Sequence, residues 1–279
     1  MNNWRTLLAE GAETLRRAGV EGAMRDARLL LAHARDLLAD RVMLEMEGKA
    51  DPDAEAVFLA LIGRRAAREP LSHLTGCRAF WGREFRVSSD VLDPRPETET
   101  LIAAALAQPF SRLLDLGTGS GAILATLLAE RPDATGLGTD LSLAALAIAN
   151  ENGRLLGLDE RAEWRLSDWF ADVDGQFDLI VSNPPYIATD EIPALSPEVR
   201  EWEPRIALTP GGDGLDAYRA IAAGMMTHLL PGGRVFLEIG PSQGEAVSMM
   251  LAEAGLDDIH ILPDLDGRDR VVVAKRLSG

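Results

Sequence analysis

Apolar residues recur three and four apart through the first seventy positions. Leu7, Leu8, Ala12 and Leu15 form one such stripe, and Ala27, Leu30, Leu31, Ala34, Leu37 and Leu38 form a second. This spacing places each set on one face of an α-helix. A third helix is predicted for "DPDAEAVFLALIGRRAAREP", with an acidic start, Pro52 in its first turn and a stop before Pro70. From 71 to 92 the texture changes to short stretches of glycine, aromatic and β-branched residues, "LSHLTGCRAFWGREFRVSSDVL". It predicts a β-hairpin between two domains, with Phe80, Trp81 and Phe85 packed at the junction. From 111 onward strand and helix patterns alternate. "RLLDLG", "ATGLGTD", "AEWRLSD", "FDLIVSN" and "GRVFLEIG" read as strands, followed by two more near the C-terminus. "GAILATLLAERP", "SLAALAIANENGRLLG", "DAYRAIAAGMMTHLL" and "QGEAVSMMLAEAG" read as helices. Alternation of this kind predicts an α/β domain, a mostly parallel sheet covered by helices on both faces. The expected division is a helical domain over 1–70, a hairpin linker over 71–92 and the α/β domain over 93–279.

Composition narrows the function classes. A chain of 279 residues exceeds the usual single-domain length, and 47% hydrophobic with 26% charged residues is ordinary for a globular protein. No apolar run approaches the ~20 residues of a membrane span, so no membrane association is expected. One cysteine, Cys77, excludes an internal disulfide framework and fits a reducing cytoplasm. His33, His73, His228 and His260 are scattered without ligand spacing, so no metal site is expected. The net charge of −16 opposes tight, unaided nucleic-acid binding, in which cationic side chains supply most of the affinity.

"LLDLGTGSGAILA" at 113–125 sets Gly117, Thr118, Gly119, Ser120 and Gly121 between a strand and a helix. Glycines let the backbone turn sharply and approach a ligand, and the helix start adds unpaired N–H groups. Dehydrogenases have a similar loop, so the loop alone does not name its ligand. Asp140 ends the next strand, where a carboxylate can accept from ribose hydroxyls. The plainer reading is a structural turn and a helix-capping aspartate. Asp115, immediately before the loop, is of no use to a pyrophosphate but suits a cofactor with an ammonium and a sulfonium. In "LSDWF", Asp168 can accept from an adenine amino group and Trp169 can stack on the ring, although Trp169 also reads as a core aromatic. Together these features favour S-adenosylmethionine over NAD.

"LIVSNPPYIA" at 179–188 ends a buried strand in an asparagine, two prolines and a tyrosine. Ligands of open α/β sheets sit beyond the carboxyl ends of the strands. There the Asn183 carboxamide oxygen and the Pro184 carbonyl can each accept one N–H of a planar NH₂ group. Pro184 and Pro185 carry no N–H and fix φ, and Tyr186 can stack on the planar group. Such a site suits an amide or an aromatic amine, with catalysis by positioning and electrostatics rather than by a strong base. The plainer reading is a proline-stiffened turn.

With these motifs in hand, the chain resembles a class I S-adenosylmethionine-dependent methyltransferase of the N5-glutamine type. It is most similar to the release factor glutamine methyltransferase (PrmC/HemK) family. The resemblance also includes "LSHLTGCRAFWGREFRV" at 71–87, "VLDPRPETETLI" at 91–102 and "EPRIALTPGGDGLDAYR" at 203–219. The "PRPETE" element, Pro94 to Glu99, separates it from the ribosomal-protein glutamine methyltransferases. Read plainly, that element is a turn and capping box opening the helix "TETLIAAALA". The resemblance implies a Rossmann-like, seven-stranded, mostly parallel sheet with a small helical N-terminal domain that helps hold the protein substrate. It implies methylation of the glutamine amide in the Gly-Gly-Gln loop of peptide chain release factors. Gly117 to Gly121, Asp140, Asp168 and Trp169 would hold S-adenosyl-L-methionine, which leaves as S-adenosyl-L-homocysteine. Asn183 would touch both cofactor and amide, and Pro184, Pro185 and Tyr186 would complete the substrate pocket. The alternatives are methylation of a ribosomal-protein glutamine, DNA adenine-N6 methylation, disfavoured by the charge, and a binding module without catalysis. The segment 187–215, rich in proline and too long for an idle loop, reads as a lid or docking surface or as a passive excursion.

Overall fold

The computed structural model describes residues 3–278, so the first two residues and the last of the expected domain spans lie outside the described residues. The chain forms two compact units. One is the chain up to Cys77 together with Ser196–Trp202; the other is Arg78–Leu195 with Glu203 onward.

The first unit is helical: α1 (Trp4–Arg17), α2 (Ala23–Ala34), α3 (Pro52–Ala66) and the short α4 (Leu71–Thr75). The side chain of Asn3 caps α1 by accepting from the Thr6 N–H. Asp51 does the same for α3 at the Ala54 N–H, ahead of Pro52. The stripes Leu7, Leu8, Ala12, Leu15 and Ala27, Leu30, Leu31 are buried against Phe58, Leu61 and Ile62. Helix α2 ends earlier than its stripe. Asp36 adopts φ 51°, the left-handed conformation that ends a helix, so Leu37 and Leu38 fall outside and Leu38 is 71% exposed. Beneath α2 and α3 lies an ion cluster. Buried Asp26 accepts from Arg25 and from Arg65 Nε at 3.0 Å. Arg65 and Arg68 also donate to Glu198, at 3.1 and 2.7 Å, on the helix Pro197–Trp202.

The hairpin pairs β1 (Cys77–Phe80) with β2 (Arg83–Arg86). Trp81 and Gly82 both have positive φ, 48° and 68°, which matches the turn to the twist of the strands. It is shorter than the 71–92 expected. Residues 71–75 are the helix α4, which Gly76 at φ 72° terminates before the first strand.

The rest of the second unit runs α5 (Glu99–Leu106), β3 (Arg112–Leu116), α6 (Ala122–Glu130), β4 (Thr135–Asp140), α7 (Leu143–Leu155), β5 (Ala162–Leu166) and β6 (Phe177–Ser182). It continues through the helix Asp216–His228, β7 (Leu229–Glu238), the helix Gly244–Glu253, β8 (Asp257–Pro263) and β9 (Asp269–Lys275). The seven-stranded sheet has the order β5-β4-β3-β6-β7-β9-β8, parallel except for β9 against both neighbours. Alternate residues of its central strands serve opposite faces. Leu113, Leu179 and Val181 pack with α5 and α6, whereas Leu114 and Ile180 pack with Tyr218 and Ile221 of the helix Asp216–His228. Both faces are therefore covered, which is why these strands read as unbroken apolar runs. Strand order reverses between β3 and β6. Their ends lie side by side, Leu116 opposite Ser182, and the Ser182 hydroxyl donates to the Leu116 carbonyl at 2.6 Å. That register brings the loop after β3 and the asparagine after β6 to one crevice. No helix among the described residues is long and apolar enough to cross a membrane.

Candidate active site

The loop after β3 holds Gly117, Gly119 and Gly121 at φ 68°, 55° and 77°, which favour glycine over any L side chain. Their surroundings differ. A Cβ on Gly119 would meet nothing within 4 Å, whereas one on Gly121 would lie 2.8 Å from the Trp164 ring. Gly119 thus faces open space and Gly121 is a packing glycine.

Two carboxylates brace the loop. Asp140 accepts from the Gly119 N–H and the Ser142 N–H, both at 2.9 Å, so it joins the loop to the end of β4. The cap of α7 is Ser142, whose hydroxyl accepts from the Ala145 N–H, so Asp140 is not the cap. Burial raises the Asp140 pKa, against the lowering effect of these N–H groups. Asp115 is fully buried and accepts from the Thr118 hydroxyl at 2.6 Å. Burial pushes it up to about 7. It stands in β3 immediately before the loop, which it braces through Thr118.

The cavity is walled by Gly117 to Ser120, Asp140, Asp168, Trp169, Asn183 and Pro185, together with Leu92 to Arg95 and Thr98. Trp169 sits at φ 50°, a strained conformation for a bulky residue, with its ring facing the position above Gly117. Ser167 secures that turn, donating to the Trp169 carbonyl at 2.9 Å and accepting from the Asp172 N–H at 3.0 Å. Pro184 and Tyr186 are not in the wall. Pro184 is buried, and the Tyr186 carbonyl accepts from Gln243 Nε2 at 2.8 Å. Burial pushes the Tyr186 phenol up to about 12, so it is neutral.

Several side-chain contacts at the site went unread in the sequence. Asn183 Nδ2 donates to the Thr98 hydroxyl at 3.3 Å, and Thr98 donates to Glu238 Oε2 at 2.6 Å. Thr98 therefore does not cap α5, as the plain reading of "PRPETE" expected; its hydroxyl is spent on Glu238. Glu238 is 1% exposed, and burial pushes it up to about 7. The available signal was an acid inside the apolar run "GRVFLEIG". Also in the "PRPETE" element, Glu99 accepts from the Trp81 N–H at 2.9 Å and Arg95 pairs with buried Glu203. Among the described residues no His, Cys, Asp and Glu cluster could hold a metal.

A mostly parallel sheet with a glycine loop after β3, an acid at the end of β4 and an Asn-Pro turn after β6 is the arrangement of a methyltransferase domain. Residues 88–199 accordingly match the methyltransferase small domain, and residues 6–76 match the PrmC N-terminal domain. The fold is shared with a methyltransferase of Pyrococcus furiosus, with a TM-score of 0.54 at 16% identity over 78% of this chain and 98% of that one. The release factor glutamine methyltransferase of Cereibacter sphaeroides is 60% identical over 92% of this chain and 93% of its own length. That of Rhodospirillum rubrum is 46% identical over 97% and 84%. The chain belongs to the release factor glutamine methyltransferase family.

Proposed function

We propose that this chain transfers the methyl group of S-adenosyl-L-methionine to the side-chain amide nitrogen of the glutamine in the Gly-Gly-Gln loop of peptide chain release factors. The observation that carries the reading is the placement of Asn183 in one cavity with the open glycine loop, Asp140 and Trp169. The cavity suits the cofactor: the open face over Gly119 admits close approach, Asp140 offers acceptors for ribose hydroxyls, and Asp168 and Trp169 suit an adenine. When bound, the cofactor supplies an electrophilic methyl on a sulfonium. The Asn183 carboxamide oxygen, in the cavity wall, accepts an N–H of the glutamine amide, raising electron density on its nitrogen. As the N–C bond forms, the S–C bond of the sulfonium breaks, S-adenosyl-L-homocysteine leaves with that electron pair, and one amide proton passes to water. The neutral Tyr186 phenol is no base, and positioning supplies the rate. The first unit helps hold the protein substrate. The chain acts in the cytoplasm, consistent with its single cysteine, Cys77.

The test is transfer of labelled methyl from S-adenosyl-L-methionine to a release factor, a ribosomal protein and duplex DNA, offered separately. A release factor with Gln→Ala in its Gly-Gly-Gln loop runs alongside. Label on the wild-type release factor alone is expected. Label on DNA, or equally on the Gln→Ala control, would overturn the substrate.

A further inference from the structure

Asn183, Thr98 and Glu238 form a hydrogen-bonded chain whose direction is set at its buried end. A hydroxyl has one proton to give and lone pairs to accept, whereas an ionised carboxylate only accepts. With Glu238 ionised, the Thr98 proton points to Glu238 Oε2 at 2.6 Å, and only lone pairs face Asn183. Asn183 then offers its NH₂ to Thr98, at 3.3 Å, which leaves Oδ1 on the opposite edge of the carboxamide.

We propose that Thr98 and Glu238 are positioning residues that decide which edge of the Asn183 carboxamide meets the substrate amide. Ionised Glu238 presents Oδ1, the acceptor that a substrate N–H requires. Protonated Glu238 donates to Thr98, frees the Thr98 proton to turn toward Asn183 and lets the carboxamide flip. A flipped carboxamide would set N–H against N–H. The inference rests on the reading of Asn183 as the acceptor for the glutamine amide.

The groups around Glu238 set where the switch falls. Arg270 of β9, itself paired with Asp264, and Arg95 favour the charged form, and Glu97 opposes it. Tyr186 lies close enough to be raised by its charge, and the Tyr218 hydroxyl donates to the Glu238 backbone carbonyl at 2.8 Å. Burial outweighs the arginines and pushes the carboxyl up to about 7, so it changes state near neutrality.

The decisive readout needs no acceptor. In the ¹⁵N-labelled protein, the Asn183 side-chain NH₂ resonance is assigned by its loss in Asn183→Ala and followed with pH. An inflection near pH 7 is expected in wild type and none in Glu238→Gln or Thr98→Val. Turnover should follow: kcat rises through the same inflection in wild type and loses it in Glu238→Gln. Thr98→Val should lower kcat about 100-fold with unchanged affinity for S-adenosyl-L-methionine, because misplacing a reacting group costs on that order. Thr98→Ser, which keeps the hydroxyl, should restore it. A resonance that does not titrate, an inflection that survives Glu238→Gln, or wild-type turnover by Thr98→Val would overturn the relay. An Asn183 resonance that titrates as expected while no release factor is methylated would support the relay and overturn the substrate instead.

Discussion

Gly214 lies so close to Tyr186 that a Cβ on it would sit 2.4 Å from the Tyr186 carbonyl oxygen. The same oxygen accepts from Gln243, so the turn after β6 is held by a residue 57 positions away and leaves no room for a side chain at Gly214. Gly214 also has φ 80°, a conformation that disfavours any side chain. Gly214→Ala should therefore destabilise the fold by about 1–3 kcal/mol and displace the asparagine turn. Urea titration would measure the first effect and kcat the second. An alanine variant with wild-type values of both would show that the approach is not needed.

The loop glycines should separate by role. Gly121→Ala drives a methyl into Trp164 and should lower the melting temperature. Gly119→Val meets no protein atom within 4 Å at Cβ, so it pays only the strain of its φ while filling the space above the loop. It should weaken S-adenosyl-L-methionine binding far more than it lowers stability. Calorimetric titration beside thermal melts would reveal whether the two losses run in parallel instead.

Asn183→Ala should retain most cofactor affinity and lose methyl transfer, since Asn183 is one of many cavity residues but the proposed acceptor for the substrate N–H. A fall of about 100-fold or more in kcat is expected when a group that places and polarises the reacting atom is removed. Wild-type turnover would remove Asn183 from the mechanism.

Asp115, Glu203 and Glu238 are each pushed up to about 7, with burial as the largest cause. Unfolded, such groups titrate near about 4, so between about pH 4 and 7 the folded chain holds protons that the unfolded chain has lost. The stability they contribute is present in full below the unfolded values and declines as pH rises through about 7. Urea midpoints measured at about pH 5.5, 7 and 8 should fall in that order. Glu238→Gln should shallow the slope, and an unchanged slope would mean that Glu238 does not titrate in this window.

In the first unit, Asp26→Ala leaves Arg25 and buried Arg65 without their shared carboxylate. Breaking a buried ion pair from one side costs about 3 kcal/mol, although Glu198 still serves Arg65 here. Denaturation monitored in the helical unit should show a loss of about that size or somewhat less. A neutral outcome would mean that Glu198 alone satisfies Arg65.

The element types could be read from periodicity because each is decided by its nearest neighbours. The stripe at Leu7, Leu8, Ala12 and Leu15 and the apolar runs of β3 and β6 are local patterns, and they lie where they predict, in a helix face and in the centre of the sheet. Boundaries were less legible. The end of α2 depends on the backbone of Asp36, and the start of the hairpin depends on Gly76, neither of which interrupts the apolar pattern ahead of it.

The site divides in the same way. Gly117 to Gly121, Asp140 and Asn183 stand out in the sequence because each belongs to a short contiguous motif beside a strand end. That Gly117 to Ser120, Asp140 and Asn183 line one cavity follows from the register of β3 with β6 and from the sheet order, which no short motif contains. Glu238 is 140 residues from the threonine it accepts from, and Gln243 is 57 from the carbonyl it holds. The sequence by itself determined the alternation of elements, the acidic balance and the chemistry of the motifs, all of which depend on residue type and near spacing. Only the tertiary structure decided that Asp115 braces the loop through Thr118, that Gln243 holds the Tyr186 carbonyl and that Thr98 serves Asn183 instead of making a side-chain cap. The physical reason is that hydrogen-bond partners and burial are set by packing between segments far apart along the chain, where local propensity carries no information.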